Sequence, residues 1–327
     1  MIVSEADGSE AVNWQALTGE FYCVDAGSRG GFADVPLLHP WVHMYSVDAD
    51  ATVEPRPQNF ASFRHFPLAL HSSEGEIELF VAARPGMSSL LEFDEAAFTR
   101  HFGLMPGSET WKHALTQTHG QKTRAQTADN LFRSQGLERV DFFKLDTQGT
   151  ELEILKGARE HLSAGRISVI KTEVSFLPVY RNQCTFSDID QFLKEHGFVF
   201  VDCVFYPDGV HPHSSSKAVQ GVHLEEQIRF SAGGDAVYAL HPGSYTGSDR
   251  AGFTIRSAVL LNQMGYVSLA FDLLKDSAYP VDSAESLLRA TAMTDNRTRL
   301  KQALKNHLSP WAYRKVRQLS RSLSSPK

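Results

Sequence analysis

Few folds accommodate the alternation that runs from Val140 to Phe205. Val140–Leu145 is an apolar run of strand length. In Thr150–Ser163, Leu152, Leu155, Ala158 and Leu162 recur at spacings of three, three and four, which is one face of a helix, and Gly165 is its stop. Ile167–Val174 is the next strand. Thr185 and Asp188 then form a capping box that opens a helix ending at Gly197, and Phe198–Phe205 follows as a strand. Strand–helix–strand units at this spacing predict parallel strands joined by crossovers, hence an α/β chain with a mostly parallel sheet. Such sheets bind ligands beyond the carboxyl ends of their strands, so chemistry is expected just after Val24, Val47, Leu145 and Val174.

The first half fits the same scheme less sharply. Phe21–Asp25 and Val42–Val47 read as buried strands, His65–Leu70 as a third weakened by Pro67, and Glu76–Val81 as an exposed one. Residues 94–118 have no clear period and read as an inserted loop or short helices. Asp235–Leu240 is a last strand, after a Gly-, His-, Pro- and Ser-rich loop over 207–233. Beyond His241 only helical patterns remain. The predicted organisation is an N-terminal arm (1–20), an α/β domain (21–242) and a helical appendage (243–327). One segment, Leu261–Ala270, resembles the turn of a tetratricopeptide pair, but a single unit makes no array; a helical cap on the sheet or a dimer contact is the simpler expectation.

Charge separates the ends of the chain. Residues 297–327 hold nine Lys/Arg and no acid, while the remainder has 23 basic against 38 acidic residues, or −15. A basic tail on an acidic body suggests an interaction segment, not a nucleic-acid-binding fold. In 311–323, Ala312, Val316, Leu319 and Leu323 share one helical face, with Arg314, Arg317 and Arg321 opposite. That basic amphipathic pattern suits an anionic membrane surface, the protein's own acidic body or a second subunit. Three cysteines, far apart, argue against a disulfide framework and for a reducing compartment. With no signal-like N-terminus and no apolar run near the ~18 residues of a membrane span, the expected location is cytoplasmic, with peripheral contact at the inner membrane face through the tail.

Asp25-Ala-Gly-Ser-Arg-Gly-Gly31 follows the first strand, and Asp48 ends the second. Gly27 and Gly31 allow a sharp turn and close approach to a ligand; Asp48 is placed to accept hydrogen bonds from a ribose diol. The spacing is a poor match to the dinucleotide pattern G-x-G-x-x-G. Asp25 would repel a pyrophosphate and suits a cationic amino-acid group instead, such as the ammonium of S-adenosylmethionine.

Asp141-Phe-Phe-Lys-Leu-Asp-Thr-Gln-Gly-Thr-Glu-Leu-Glu-Ile-Leu-Lys-Gly-Ala158 resembles the signature of the FkbM-type methyltransferases, in Lys144, Asp146, Gln148, Gly149, Glu151, Leu155, Gly157 and Ala158. Thr127-Ala-Asp129, Thr172-Glu-Val174 and Pro178-Val-Tyr180 resemble further elements of that family. The resemblance covers about Phe21 to Leu240. It departs in the first loop, where Ser28 and Arg29 replace Ala and Asn, at Asp48-Ala49 in place of Glu-Pro, and after the third strand, where no acid stands to hold adenine. The resemblance implies a Rossmann-like class I methyltransferase with an antiparallel last strand, using S-adenosyl-L-methionine, usually on an oxygen of a sugar or glycosylated metabolite.

Methyl transfer from a sulfonium is an in-line displacement, so the acceptor oxygen must be aligned and water excluded. Asp146, at a strand end, is the candidate to orient or deprotonate the acceptor hydroxyl. Glu173 ends the next strand and is a second candidate. Lys144 lies two residues before Asp146, on the same face, and is expected to pair with it. Asp25, Gly27, Gly31, Asp48, Gln148 and Gly149 are the candidate cofactor contacts, and Tyr180 and Glu151 candidate acceptor contacts. Each has a structural alternative: Glu151 and Asp129 are acids in first helical turns, and Tyr180 fits a half-buried core position. His211 and His213 have no cysteine or carboxylate cluster beside them, so no metal site is expected. The other readings are a nicotinamide-dependent oxidoreductase and a non-catalytic interaction protein on the same fold.

Overall fold

The computed structural model describes residues 19–103, 108–205, 232–276 and 281–291. His211, His213, the segment 311–323 and nearly all of the expected N-terminal arm lie outside the described residues.

A seven-stranded sheet has the order β3-β2-β1-β7-β8-β10-β9. Its strands are β1 (Phe21–Ala26), β2 (Val42–Asp48), β3 (Ser62–Pro67), β7 (Val140–Leu145), β8 (Ile167–Ser175), β9 (Phe198–Phe205) and β10 (Gly233–Leu240). Pairings from β3 through β8 are parallel; β10 runs antiparallel to both β8 and β9. This is the mostly parallel sheet that the sequence pattern predicts, with the antiparallel last strand that the family resemblance implies. Alternation along each strand sends side chains to two cores. Val24, Val47, Phe143, Leu145 and Ile170 pack under α3 (Ala128–Ser134), α4 (Glu151–Gly157), α5 (Arg159–Ser163) and α6 (Phe186–Glu195). Cys23, Met44, Phe142, Val169 and Val237 pack under α7 (Arg250–Gln263), α8 (Val267–Asp276) and α9 (Val281–Thr291). The described helices after His241 are thus a cap on the sheet, sharing its core.

Three local expectations need correction. His65–Leu70 is not one strand: β3 ends at Pro67, and β4 (Ala69–Leu70) joins a separate three-stranded sheet of order β4-β6-β5. Pro67 is tolerated because β3 is the sheet edge. The predicted exposed strand is β5 (Gly75–Ala82), but its partner β6 (Gln117–Gln126) has no strand-like apolar pattern and escapes sequence reading. Between them lie two short helices, α1 (Glu95–Phe102) and α2 (Ser108–Leu115), whose Phe98, Phe102 and Leu115 form a small third core with Val179 and Tyr180. Finally, the helix expected over 150–163 breaks at Ala158 into α4 and α5. Asp129 stabilises that break: its carboxylate accepts from the backbone N–H of Glu160 (2.8 Å) and of His161 (3.1 Å), and contacts His161 Nδ1 at 2.6 Å. The Thr185–Asp188 capping box is present as read.

One buried ion pair joins the helical cap to the sheet. Arg256 of α7, 4% exposed, donates from Nε to Asp141 Oδ1 at 2.9 Å. Asp141 is fully buried, and its Oδ2 also accepts from the Tyr22 backbone N–H at 2.9 Å. Removing Arg256 takes away the closest cation of the buried carboxylate and leaves it only Arg139, whose Nε is 3.3 Å away on a half-exposed side chain. Arg256→Ala is therefore expected to lower unfolding free energy by about 3 kcal/mol, measured by urea denaturation, whereas Arg289→Ala, whose exposed pair with Glu285 is solvent-screened, is expected to cost well under 1 kcal/mol, ~0.3.

Candidate active site

The carboxyl ends of β1, β2 and β7 converge on a cavity of about 260 Å³. Its floor is the glycine loop after β1. Gly27 adopts φ +81, and a Cβ there would overlap the backbone carbonyl of Asp146, so only glycine lets the ends of β1 and β7 approach this closely. Backbone hydrogen bonds fix the approach: Asp146 N–H to Ala26 O at 3.0 Å and Gly27 N–H to Val47 O at 2.9 Å. One wall is the end of β2 with Asp48, Ala49 and Asp50; the opposite wall is the turn Asp146–Gln148. Leu68, Leu70, Leu79 and Leu90 supply apolar lining, and Pro85, Gly86, Ser88 and Ser89 of the segment after β5 line the cavity as well.

Lys144 occupies the centre of the strand ends. Its ammonium lies 3.0 Å from Asp25 Oδ1 and 3.4 Å from Asp146 Oδ2, with the lysine side chain 14% exposed. Burial opposes its charge, but the two carboxylates prevail and hold its pKa well above the ordinary ammonium range. The expected pairing with Asp146 is present, and Asp25 is the closer partner. That corrects one expectation: Asp25, 1% exposed, spends its carboxylate on Lys144 and does not line the cavity, so it is not placed to meet a cofactor ammonium. Burial raises the Asp25 pKa despite that lysine. Asp146, by contrast, lines the cavity with its side chain 40% exposed.

Asp48 also lines the cavity. Its Oδ1 accepts from the Asp50 backbone N–H at 3.0 Å. Burial raises its pKa, with the backbone N–H of Asp50 and the Arg29 guanidinium acting against that rise. Gly31, at φ +75, packs beside Arg56 and Gln58 and shapes the loop without lining the cavity.

The β7–α4 turn is built by its own acid. Glu151 accepts from Thr147 N–H (2.8 Å) and Gly149 N–H (3.0 Å) and is 2% exposed. It is thereby committed to the turn and not open to an acceptor. Gln148 stands at φ +60, a left-handed conformation uncommon for a residue with a Cβ. Its carbonyl accepts from Ser89 Oγ at 2.7 Å, and its Nε2 donates to Glu173 Oε2 at 2.8 Å. The side chain of Gln148 thus points at Glu173, away from a purely cofactor role. Gly149, at φ +106, has Gln183 against it and does not line the cavity. Tyr180 is 4% exposed and donates to Met87 O at 2.8 Å, so its ring is core and its hydroxyl braces the segment after β5, which leaves no face for a sugar.

Three further features of the site are not among the candidate residues read from the sequence. Arg29 of the glycine loop pairs with Asp50. Ser46 donates to Ser28 Oγ at 2.7 Å and meets His65 Nδ1 at 2.9 Å, tying β2 and β3 to the loop. Ser89 holds the strained turn. All three depend on contacts between distant segments; the two loop substitutions at 28 and 29 are their only sequence trace.

The buried lysine makes a signed pH prediction. Asp25 has a folded pKa above its unfolded value, so its contribution to stability is present at acid pH and is lost as pH rises through the folded value. Lys144→Met removes the charge that lets Asp25 ionise. The variant is expected to be destabilised by about 3 kcal/mol at neutral pH, and the deficit is expected to shrink on acidification; thermal melts across pH measure it. A deficit that grows on acidification would contradict the assignment.

Among the described residues no cluster of His, Cys, Asp and Glu is suited to a metal ion, and no helix is long and apolar enough to cross a membrane. No curated protein matches the chain. A family model described as the methyltransferase FkbM domain matches residues 40–200, from the start of β2 into β9, taking in Asp48, the Lys144–Glu151 turn and Glu173. The chain carries an FkbM methyltransferase domain, set on a seven-stranded α/β sheet whose glycine loop precedes the matched residues.

Proposed function

We propose that the protein is an S-adenosylmethionine-dependent methyltransferase acting on a hydroxyl oxygen, with a sugar of a glycan or glycosylated metabolite as the acceptor class. The observation that carries the cofactor reading is the cavity itself, where the glycine loop after β1, a buried acid at the end of β2 and apolar side chains line one pocket at the carboxyl ends of the parallel strands. These groups fit an adenosyl ligand. Leu68, Leu70 and Leu79 would hold the base, and Asp48 the ribose hydroxyls. The acceptor class rests on the FkbM resemblance.

When bound, S-adenosylmethionine supplies an electrophilic methyl group on a sulfonium. The protein's residues supply the rest. Asp146, exposed at the cavity wall, orients the acceptor hydroxyl and takes its proton; Lys144, 3.4 Å from its Oδ2, positions that carboxylate. Glu173 holds the Gln148 carboxamide at 2.8 Å and is not among the residues lining the cavity, so its part is to position that side chain. The 85–90 segment, braced by Tyr180 and Ser89, lines the cavity and limits water.

Calorimetric titration with S-adenosylhomocysteine tests the cofactor. Micromolar binding to wild type that weakens by about 1–3 kcal/mol in Asp48→Ala is expected; no heat and no thermal shift for wild type would refute the reading. The pH dependence is also signed. The ionised form of Asp48 accepts the ribose hydroxyls, and burial raises its pKa, so affinity is expected to fall on acidification at a higher pH than an ordinary aspartate would give. Asp48→Asn should flatten that dependence. For the chemistry, Asp146→Asn is expected to bind S-adenosylhomocysteine as wild type does and to lose about 10²–10⁴-fold in methyl transfer to the responding glycan, read as radiolabelled methyl incorporation.

A further inference from the structure

The charges around the cavity do not yet account for one end of the ligand proposed above. S-adenosylmethionine carries a sulfonium and an ammonium, which are cationic, and one α-carboxylate. The cavity is lined by three carboxylates, Asp48, Asp50 and Asp146. They suit the two cationic centres and oppose the carboxylate. Among the described residues lining the cavity, Arg29 is the sole Lys or Arg. It stands in the glycine loop after β1.

The geometry of Arg29 suits an anion. Its backbone lies in the single 3-10 turn Ser28–Gly30, anchored from below by the Ser46-to-Ser28 hydrogen bond. Its Nη2 is paired with Asp50 Oδ2, and the side chain remains 32% exposed. Asp50 is itself fully engaged: Oδ1 accepts from Thr52 N–H at 2.9 Å and from Thr52 Oγ1 at 2.7 Å. Burial works against its charge, but those Thr52 bonds and Arg29 hold its pKa below the usual value. An ionised, immobilised Asp50 therefore fixes one edge of the guanidinium. Among the described residues, Nε and Nη1 have no protein acceptor. Nη2 keeps a second N–H, and with the neighbouring nitrogen on the side away from Asp50 it forms a two-donor fork that can bind a carboxylate bidentately.

We propose that Arg29, held by Asp50, is the carboxylate-reading group of this cavity and binds the α-carboxylate of the methionyl arm. The inference rests on the cofactor reading above and adds a specificity determinant to it: the cavity distinguishes a ligand with an intact amino-acid arm from a bare thioadenosine. Asp50 is the positioning residue, acting through Arg29.

Two probes share the adenosine and sulfur and differ in the arm. S-adenosylhomocysteine has the α-carboxylate; 5′-methylthioadenosine lacks the amino-acid arm. Both are titrated calorimetrically into full-length wild type, Arg29→Ala and Arg29→Gln, with a thermal melt of each variant as the folding check. Loss of a charge-assisted pair is expected to weaken S-adenosylhomocysteine by about 10–100-fold in both variants, with 5′-methylthioadenosine changed less than about twofold. Asp50→Asn should weaken S-adenosylhomocysteine selectively too, by a smaller factor. Equal weakening of both probes would overturn the proposal, because Arg29 would then act on the adenosine or on the loop itself. Unchanged binding of S-adenosylhomocysteine would overturn it as well. If wild type binds neither probe, the cofactor reading fails first, and the Arg29 assignment falls with it.

Discussion

A buried ammonium holds the carboxyl ends of the central strands together. Lys144 sits between Asp25 of β1 and Asp146 after β7, and its neighbours on both sides are acids that need it. Without it, Asp25 would be an unpaired charge at 1% exposure, and Asp146 would lose its cationic partner. The same strand ends meet through Gly27, whose bare Cα lies against the Asp146 carbonyl. Charge pairing and backbone proximity thus act on one junction. The cavity is what remains above it once β2 and the segment after β5 are in place.

The site also stores strain in one place and spends side chains to keep it there. Gln148 is held left-handed by four hydrogen bonds: Ser89 to its carbonyl, its amide to Glu173, and the two by which the Glu151 carboxylate gathers the N–H groups on either side. A non-glycine residue in that conformation persists only when its surroundings over-determine it. The outcome is a turn that faces the cavity with Asp146 and aims a carboxamide at Glu173. The segment after β5 contributes Ser89, bridged to Phe80, and the Met87 carbonyl, so this insertion is part of the site's construction.

The parts legible in sequence were those with local causes. β1, β2, β7, β8 and the capping box of α6 follow from apolar periodicity and short-range hydrogen bonding, and they match what was expected. β6 was illegible because its stability comes from pairing with β5 and not from apolar alternation. The break at Ala158 was hidden because a continuous helical period conceals Asp129, which caps α5 from another helix. Within the site, Lys144 near Asp146 was readable from the two-residue repeat of a strand. That Asp25 claims the lysine was not, since the two are 119 residues apart and meet only through strand register.

The amino-acid sequence alone determined the class of sheet, the glycine turn, the acid at the end of β2 and the family signature around Asp146, because each is written in residues close together along the chain. Only the tertiary structure decided which of the many carboxylates face the cavity. Asp25, Glu151 and Asp146 are acids of one type in neighbouring turns. One is paired internally, one is consumed by backbone N–H groups, and one is left exposed. That sorting depends on burial and on partners from other strands, and burial and long-range partnership are properties of the folded chain.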